Sequence, residues 1–179
     1  AEFRPIATSP AQSRRRAKFS GQRTKKGVLL GFHAKGSDTI IGVPDCKLIT
    51  PGLRAAFPAL EALIMMAASR KSQGAFTVTE TTVGPDIVVE TEKELTPQLR
   101  VELAAFAQAH HVARLVWQDE VIVTMTPPAQ DFGGVSVVPP AGAFLQATAH
   151  GEAVLRDAVI EVVGNAARVV DLFAGSGTF

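Results

Sequence analysis

The chain has 179 residues, 46% of them apolar, and a formal charge of +1 at pH 7, enough for one medium or two small globular domains. Its one cysteine, Cys46, excludes an internal disulfide, and its longest apolar run, residues 62–68, falls far short of the roughly 20 residues of a membrane-spanning helix. With no signal peptide in view, these features lead us to expect a soluble cytoplasmic protein with no membrane partner.

The near-zero charge hides an asymmetry. Residues 1–35 carry nine Lys/Arg (Arg4, Arg14, Arg15, Arg16, Lys18, Arg23, Lys25, Lys26 and Lys35) against Glu2, a net +8, and the remainder carries −7. A basic N-terminal fifth points to a polyanion, RNA or DNA before membrane; the plainer alternative is a solvated charged hairpin.

In chain order, "RRRAKFSGQR" (14–23) reads as a strand with basic residues on its open positions. "TKKG" turns it into a returning strand at 28–34, and "KGSD" leads to a third strand at 39–43, making an antiparallel meander. Thr50 caps a helix with Pro51 at its first position, running towards Arg70 and bent or broken at Pro58. Residues 75–83 and 86–92 alternate apolar and polar around Gly84-Pro85, a second hairpin. Thr96-Pro97 opens a helix to about His110, with Leu99, Leu103 and Phe106 at helical spacing. Residues 112–118 and 120–126 form a third hairpin in which Trp117 is a core residue. Residues 133–140 are a short strand. Glu90, Glu92 and Glu94 read as a solvated strand end, and the four histidines have no metal spacing. A helix over 149–163 stripes Val154, Leu155, Ala158 and Val162 on one face, and "RVVDLF" (168–173) reads as a buried strand. The antiparallel α+β style gives way near Pro139-Pro140 to what looks like the entry to a parallel α/β sheet, so a domain boundary is expected at about 140.

The stretch with most chemical content is "VVDLFAGSGTF" (169–179). A buried strand ending in Asp171, then Gly175 and Gly177, lets backbone approach a ligand closely. It lacks the G-x-G-x-x-G of dinucleotide sites. The run resembles motif I of class I S-adenosylmethionine methyltransferases. "GAFLQ" (142–146) is similar to the Phe-x-Gln segment that opens the catalytic domain of the RNA uracil-5 methyltransferases of the RumA/TrmA type. "SRRRAKF" (13–19) resembles that family's basic strand, and "GFHAKGSDTIIGVPDCKLITPGL" (31–53) its Gly-Phe…Cys-x-Leu-x-x-Pro block.

What the resemblance implies is an internal piece of such an enzyme. Residues 1–140 are then an α+β middle domain of antiparallel hairpins with helices. Residues 141–179 are the first helix and strand of a truncated Rossmann-like class I methyltransferase domain. The parent protein is expected to methylate carbon 5 of a uridine in structured, ribosomal RNA. In that family a Cys thiolate adds to carbon 6, the activated carbon 5 takes the sulfonium methyl, and a base removes the proton at carbon 5 before the Cys leaves. The nucleophile and base lie in a part of the family's sequence that has no counterpart here, so the chain alone is expected to be inactive.

By the same resemblance, Gln146, Phe173 and Thr178 contact S-adenosylmethionine, Gly175 and Gly177 form the loop beside it, and Asp171 organises that loop. Phe144 lies near the target base. Arg14, Arg15, Arg16 and Lys18 are candidate phosphate contacts, although an alternating strand puts only half of them on one face. Cys46 matches the fourth ligand of a [4Fe–4S] cluster in members that carry one; four thiolates are needed, and a buried free Cys is the alternative. Two rival readings are an RNA-binding module without catalysis and a methyltransferase for a non-RNA substrate. The run 168–173 is expected to dock on the middle domain or pair with a second copy, since a strand of parallel type is normally covered on both faces.

Overall fold

The structure is a computed structural model that describes residues 5–179; Glu2 and Arg4 lie outside the described residues. Strands β1 (Arg16–Arg23), β2 (Val28–His33), β3 (Ile40–Gly42), β4 (Gln73–Thr79), β5 (Asp86–Glu90), β6 (Arg114–Trp117) and β7 (Glu120–Thr124) join in one sheet. Its order is β3-β2-β1-β4-β5-β6-β7. The three expected hairpins are therefore neighbours in a single sheet. All pairs are antiparallel except β5 with β6, which run parallel because helix α3 (Pro97–Ala109) crosses between them.

One face of the sheet is apolar in register. Phe19, Phe76, Val89 and Trp117 stand side by side across β1, β4, β5 and β6, with Ala17, Val78, Ile87 and Leu115 in the next row. All eight are buried. Two helices cover them: α2 (Phe57–Ala67) through Leu60, Leu63 and Ile64, and α3 through Leu99, Leu103 and Phe106. Each of these side chains contributes about 1.5–3 kcal/mol on leaving water. Trp117 is core as expected, and its indole N–H donates to the Lys93 carbonyl at 3.2 Å.

The caps read from the sequence are in place. Thr50 accepts from the Leu53 amide at 3.1 Å and Thr96 from the Leu99 amide at 3.2 Å, each ahead of a proline. The helix beginning at Pro51 breaks where Pro58 demands it: α1 (Pro51–Ala55) ends and α2 begins at Phe57, with Pro58 in its first turn.

The other sheet face is covered differently. Thr77, Thr79, Asp86 and Arg114 are buried there by the segment leading to residue 146. That segment opens as a small hairpin, β8 (Gln130–Phe132) and β9 (Val135–Val137), turning on Gly133 and Gly134. The single strand expected at 133–140 is corrected accordingly. Both glycines take positive φ, which excludes a continuous strand.

Near the C-terminal end one expectation holds and one is overturned. Helix α4 (Ala149–Val163) forms as read, but its only buried residue is Glu152. Its stripe faces water, with Val162 87% exposed. Residues 168–173 form no strand and do not dock on the sheet; Val170 is 81% exposed and Leu172 74%. The reason is the absence of a ladder: no described strand lies alongside to take its backbone hydrogen bonds.

Candidate cofactor cleft and nucleic-acid interface

Two segments far apart in sequence converge on a cleft of about 410 Å³. Phe144 and Gln146 come from the first; Asp171, Phe173, Gly175 and Thr178 come from the second. Pro140, Ala143, Ala174, Ser176 and Phe179 complete the lining. These last five were not singled out from the sequence, and adjacency to the motif is the only signal that marks them. Gly177 is not among the lining residues, though it shapes the loop at φ +71°, as Gly175 does at +60°. Phe173 also takes a left-handed φ of +67° and is fully exposed, an arrangement an L-residue adopts at some cost.

The cleft has the size of a small-molecule site, with aromatic walls and a few polar groups. Among the described residues, Asp171 is the only charged side chain that lines it. Phe144 stands 73% exposed at the mouth, where composition alone would have put it in a core.

The basic strand is tied to the segment that supplies Phe144 and Gln146 to this cleft. Arg15 donates from its backbone N–H to the Ala147 carbonyl at 2.8 Å, and from Nε to the Gln146 carbonyl at 3.4 Å. Its guanidinium also pairs with Glu152. Arg16 donates to the Gly142 carbonyl at 3.1 Å. Arg114 holds Asp86 with two hydrogen bonds, at 2.9 and 2.7 Å, and reaches the Pro139 carbonyl at 3.1 Å. Arg14 bridges to Ile49 on one side and Thr148 on the other. So the residues expected at phosphates divide. Arg15 and Arg16 are spent on holding residues 142–152 to the sheet, and Arg16 is half-buried with a side-chain Nε that lacks a partner. Burial lowers the Arg16 pKa from its ordinary value, an effect that nearby Asp86 opposes. Lys18 is exposed but pairs with Glu90 at 2.7 Å. Arg14 is exposed.

Cys46 is half-buried in the turn after β3 and packs against the core rather than into the cleft. Among the described residues no group of three or more His, Cys, Asp or Glu is placed to hold a metal. A single thiol does not make a four-thiolate site. No described helix is long and apolar enough to cross a membrane.

No protein-family model matches the chain. It is 39% identical over 166 residues to an uncharacterized RNA methyltransferase of Rhizobium meliloti, covering 93% of this chain and 40% of that protein. It is 29% identical over 177 residues to the 23S rRNA (uracil(1939)-C(5))-methyltransferase RlmD of Shewanella woodyi, again 93% against 40%. The chain thus spans about two fifths of the length of these curated relatives. Among solved structures, the Pyrococcus abyssi tRNA (uracil-54, C5)-methyltransferase in complex with S-adenosyl-L-homocysteine matches 96% of this chain and 45% of its own, with a TM-score of 0.69 at 15% identity, a likeness of fold. The chain is similar in sequence to RNA methyltransferases, one of them named for uracil-C5 methylation of 23S rRNA, and its likeness to the tRNA enzyme is one of fold.

Proposed function

We propose that the chain is the part of an S-adenosylmethionine-dependent RNA methyltransferase that joins an α+β middle domain, residues 1–140, to the opening of a Rossmann-like catalytic domain, residues 141–179. The whole protein then methylates carbon 5 of a uridine in structured ribosomal RNA, in the cytoplasm. The observation that carries this is the convergence of Phe144 and Gln146 with Asp171, Phe173, Gly175 and Thr178 on one cleft, although 24 residues separate Gln146 from Asp171.

The cofactor supplies a sulfonium methyl group. Around it, Gln146 and Thr178 offer hydrogen bonds, Phe173 an apolar wall, and the backbone at Gly175 and Gly177 a close approach. Phe144 at the mouth suits stacking on an extruded base. Cys46, between β3 and α1 in the middle domain and outside the cleft lining, is not assigned as the nucleophile. As a cluster ligand it serves only a protein that brings three further thiolates. The 179 residues alone transfer no methyl group. The exposed run 168–173 pairs with a second copy when the chain is isolated.

The test is calorimetric titration of S-adenosylhomocysteine into the protein expressed from its native locus, beside Gln146→Ala and Phe173→Ala. Binding that weakens at least about tenfold in both variants supports the reading. Binding that neither variant changes places the ligand elsewhere and sinks it.

A further inference from the structure

We infer that the sheet end farthest from the cleft is a dock for the phosphate backbone of RNA, formed by Arg23, Lys25, Lys26, Arg70 and Lys71. This rests on the proposed RNA reading and adds to it a second point of contact. The sequence shows a basic N-terminal fifth without saying which of its charges are free. In the fold, Arg15, Arg16 and Lys18 are occupied at one end of β1. At the other end Arg23, Lys25 and Lys26 are exposed and form no ion pair or side-chain hydrogen bond among the described residues. The eight residues of β1 hold the two ends about 23 Å apart.

A second loop joins the first. The Arg23 amide donates to the Ser69 carbonyl at 3.3 Å, and the Gln22 side chain to the Arg70 carbonyl at 3.1 Å. Gln22 is also in register with Gln73, the first residue of β4. The α2–β4 connection therefore brings Arg70 and Lys71, both exposed, beside the β1–β2 turn. Five cations from two segments meet there. The adjoining surface cleft, lined by Thr24, Lys26, Pro58 and Met65, holds one carboxylate, Glu61. The balance is strongly positive.

Both loops are set before any ligand arrives. Thr24 donates to the Gly27 carbonyl at 2.8 Å, and the Lys26 amide to the Thr24 hydroxyl at 3.3 Å. In the other loop the Ser69 hydroxyl accepts from the amides of Lys71 and Ser72 at 3.1 and 3.0 Å, while the Ser72 hydroxyl accepts from the Ser69 amide at 3.1 Å. A backbone fixed in this way lowers the ordering cost of binding. Long cationic side chains on fixed loops neutralise phosphates without reading bases, and each contact releases a counterion.

The probe is a fluorescein-labelled RNA stem-loop with a uridine-containing loop, titrated with the whole protein at several salt concentrations. Lys25→Gln/Lys26→Gln/Arg70→Gln is compared with Lys47→Gln/Arg54→Gln/Arg168→Gln, which removes the same charge elsewhere. Circular dichroism verifies that each variant is folded. We expect the first variant to flatten the log–log salt slope by about 2 and to weaken binding about tenfold or more, with the second close to wild type. Equal weakening by both, an unchanged slope in the first, or tighter binding to phosphatidylglycerol vesicles than to the RNA overturns the dock. Wild-type protein that ignores the RNA also overturns it, whereas the methyltransferase reading stands or falls separately on the S-adenosylhomocysteine titration.

Discussion

Arg15 and Glu152 form an ion pair across 137 residues of chain, and Glu152 is the only buried residue of α4. Arg15 has 14% of its side chain exposed and Glu152 has 7%. The pair therefore ties the helix beside the cleft to the floor of the sheet, where apolar burial does not.

Glu152→Ala should free α4 while leaving the sheet intact. With no other residue of the helix buried, the loss is local, about 1–3 kcal/mol for a hydrogen-bonded charge left unpaired. In hydrogen-exchange mass spectrometry, protection over residues 149–163 should fall about tenfold or more while β1 and β4 keep theirs. Arg15→Met/Glu152→Leu should recover part of the loss, because both charges leave together. Unchanged protection of α4 in Glu152→Ala would show that something else holds the helix.

Asp86→Ala should act globally. Arg114 stands on β6, a strand paired on both sides, with a side chain only 10% exposed, and Asp86 supplies both of its forked hydrogen bonds. Removing the carboxylate leaves a buried guanidinium with the Pro139 carbonyl alone, at a cost of about 3–5 kcal/mol. Urea unfolding should show a lower midpoint with an unchanged slope. A midpoint within error of wild type would mean that water reaches Arg114.

The Arg100–Glu120 pair gives a small pH signature. The hydrogen bond from Arg100 holds the Glu120 carboxyl below its ordinary value, and the same bond raises Arg100. A carboxyl depressed by folding stabilises the protein above its unfolded pKa and loses that contribution as pH falls through the folded value. Glu120→Gln should therefore be less stable than wild type near neutrality and equal to it once acid has protonated Glu120. Chemical denaturation at several pH values checks this; a gap between the two proteins that widens on acidification contradicts it.

Much of the fold was legible because local rules decided it. Thr50-Pro51 and Thr96-Pro97 announce helix starts, Pro58 a break, and the alternation around Phe19, Phe76 and Trp117 one buried face. Alternation does not name a strand's neighbour, so the parallel β5–β6 pairing was not legible. Gly133-Gly134 carried a hairpin signal that the apolar run after it obscured. The cleft residues were readable as a motif, but the use of Arg15 and Arg16 was not. Nothing near them in sequence reveals that Glu152 and Gly142 will sit opposite. The apolar run 168–173 reads as a buried strand by composition, yet burial depends on a partner that composition does not supply.

That uncovered run should make the isolated chain self-associate. Val159, Ile160 and Val163 of α4 line a groove of about 470 Å³ with Val169, Val170 and Phe179. Each exposed aliphatic side chain gains at most about 1.5–3 kcal/mol on burial. Association costs about 4–15 kcal/mol in lost freedom, so a handful of such contacts supports weak pairing and not a tight dimer. In sedimentation velocity the mass should climb above 18.9 kDa as concentration rises. Ile160→Asp/Val170→Asp should hold it at the monomer value, since a charge at either position must be desolvated on pairing. A wild-type chain that stays monomeric at every concentration would show that these side chains remain in water, and the second-copy pairing would be withdrawn.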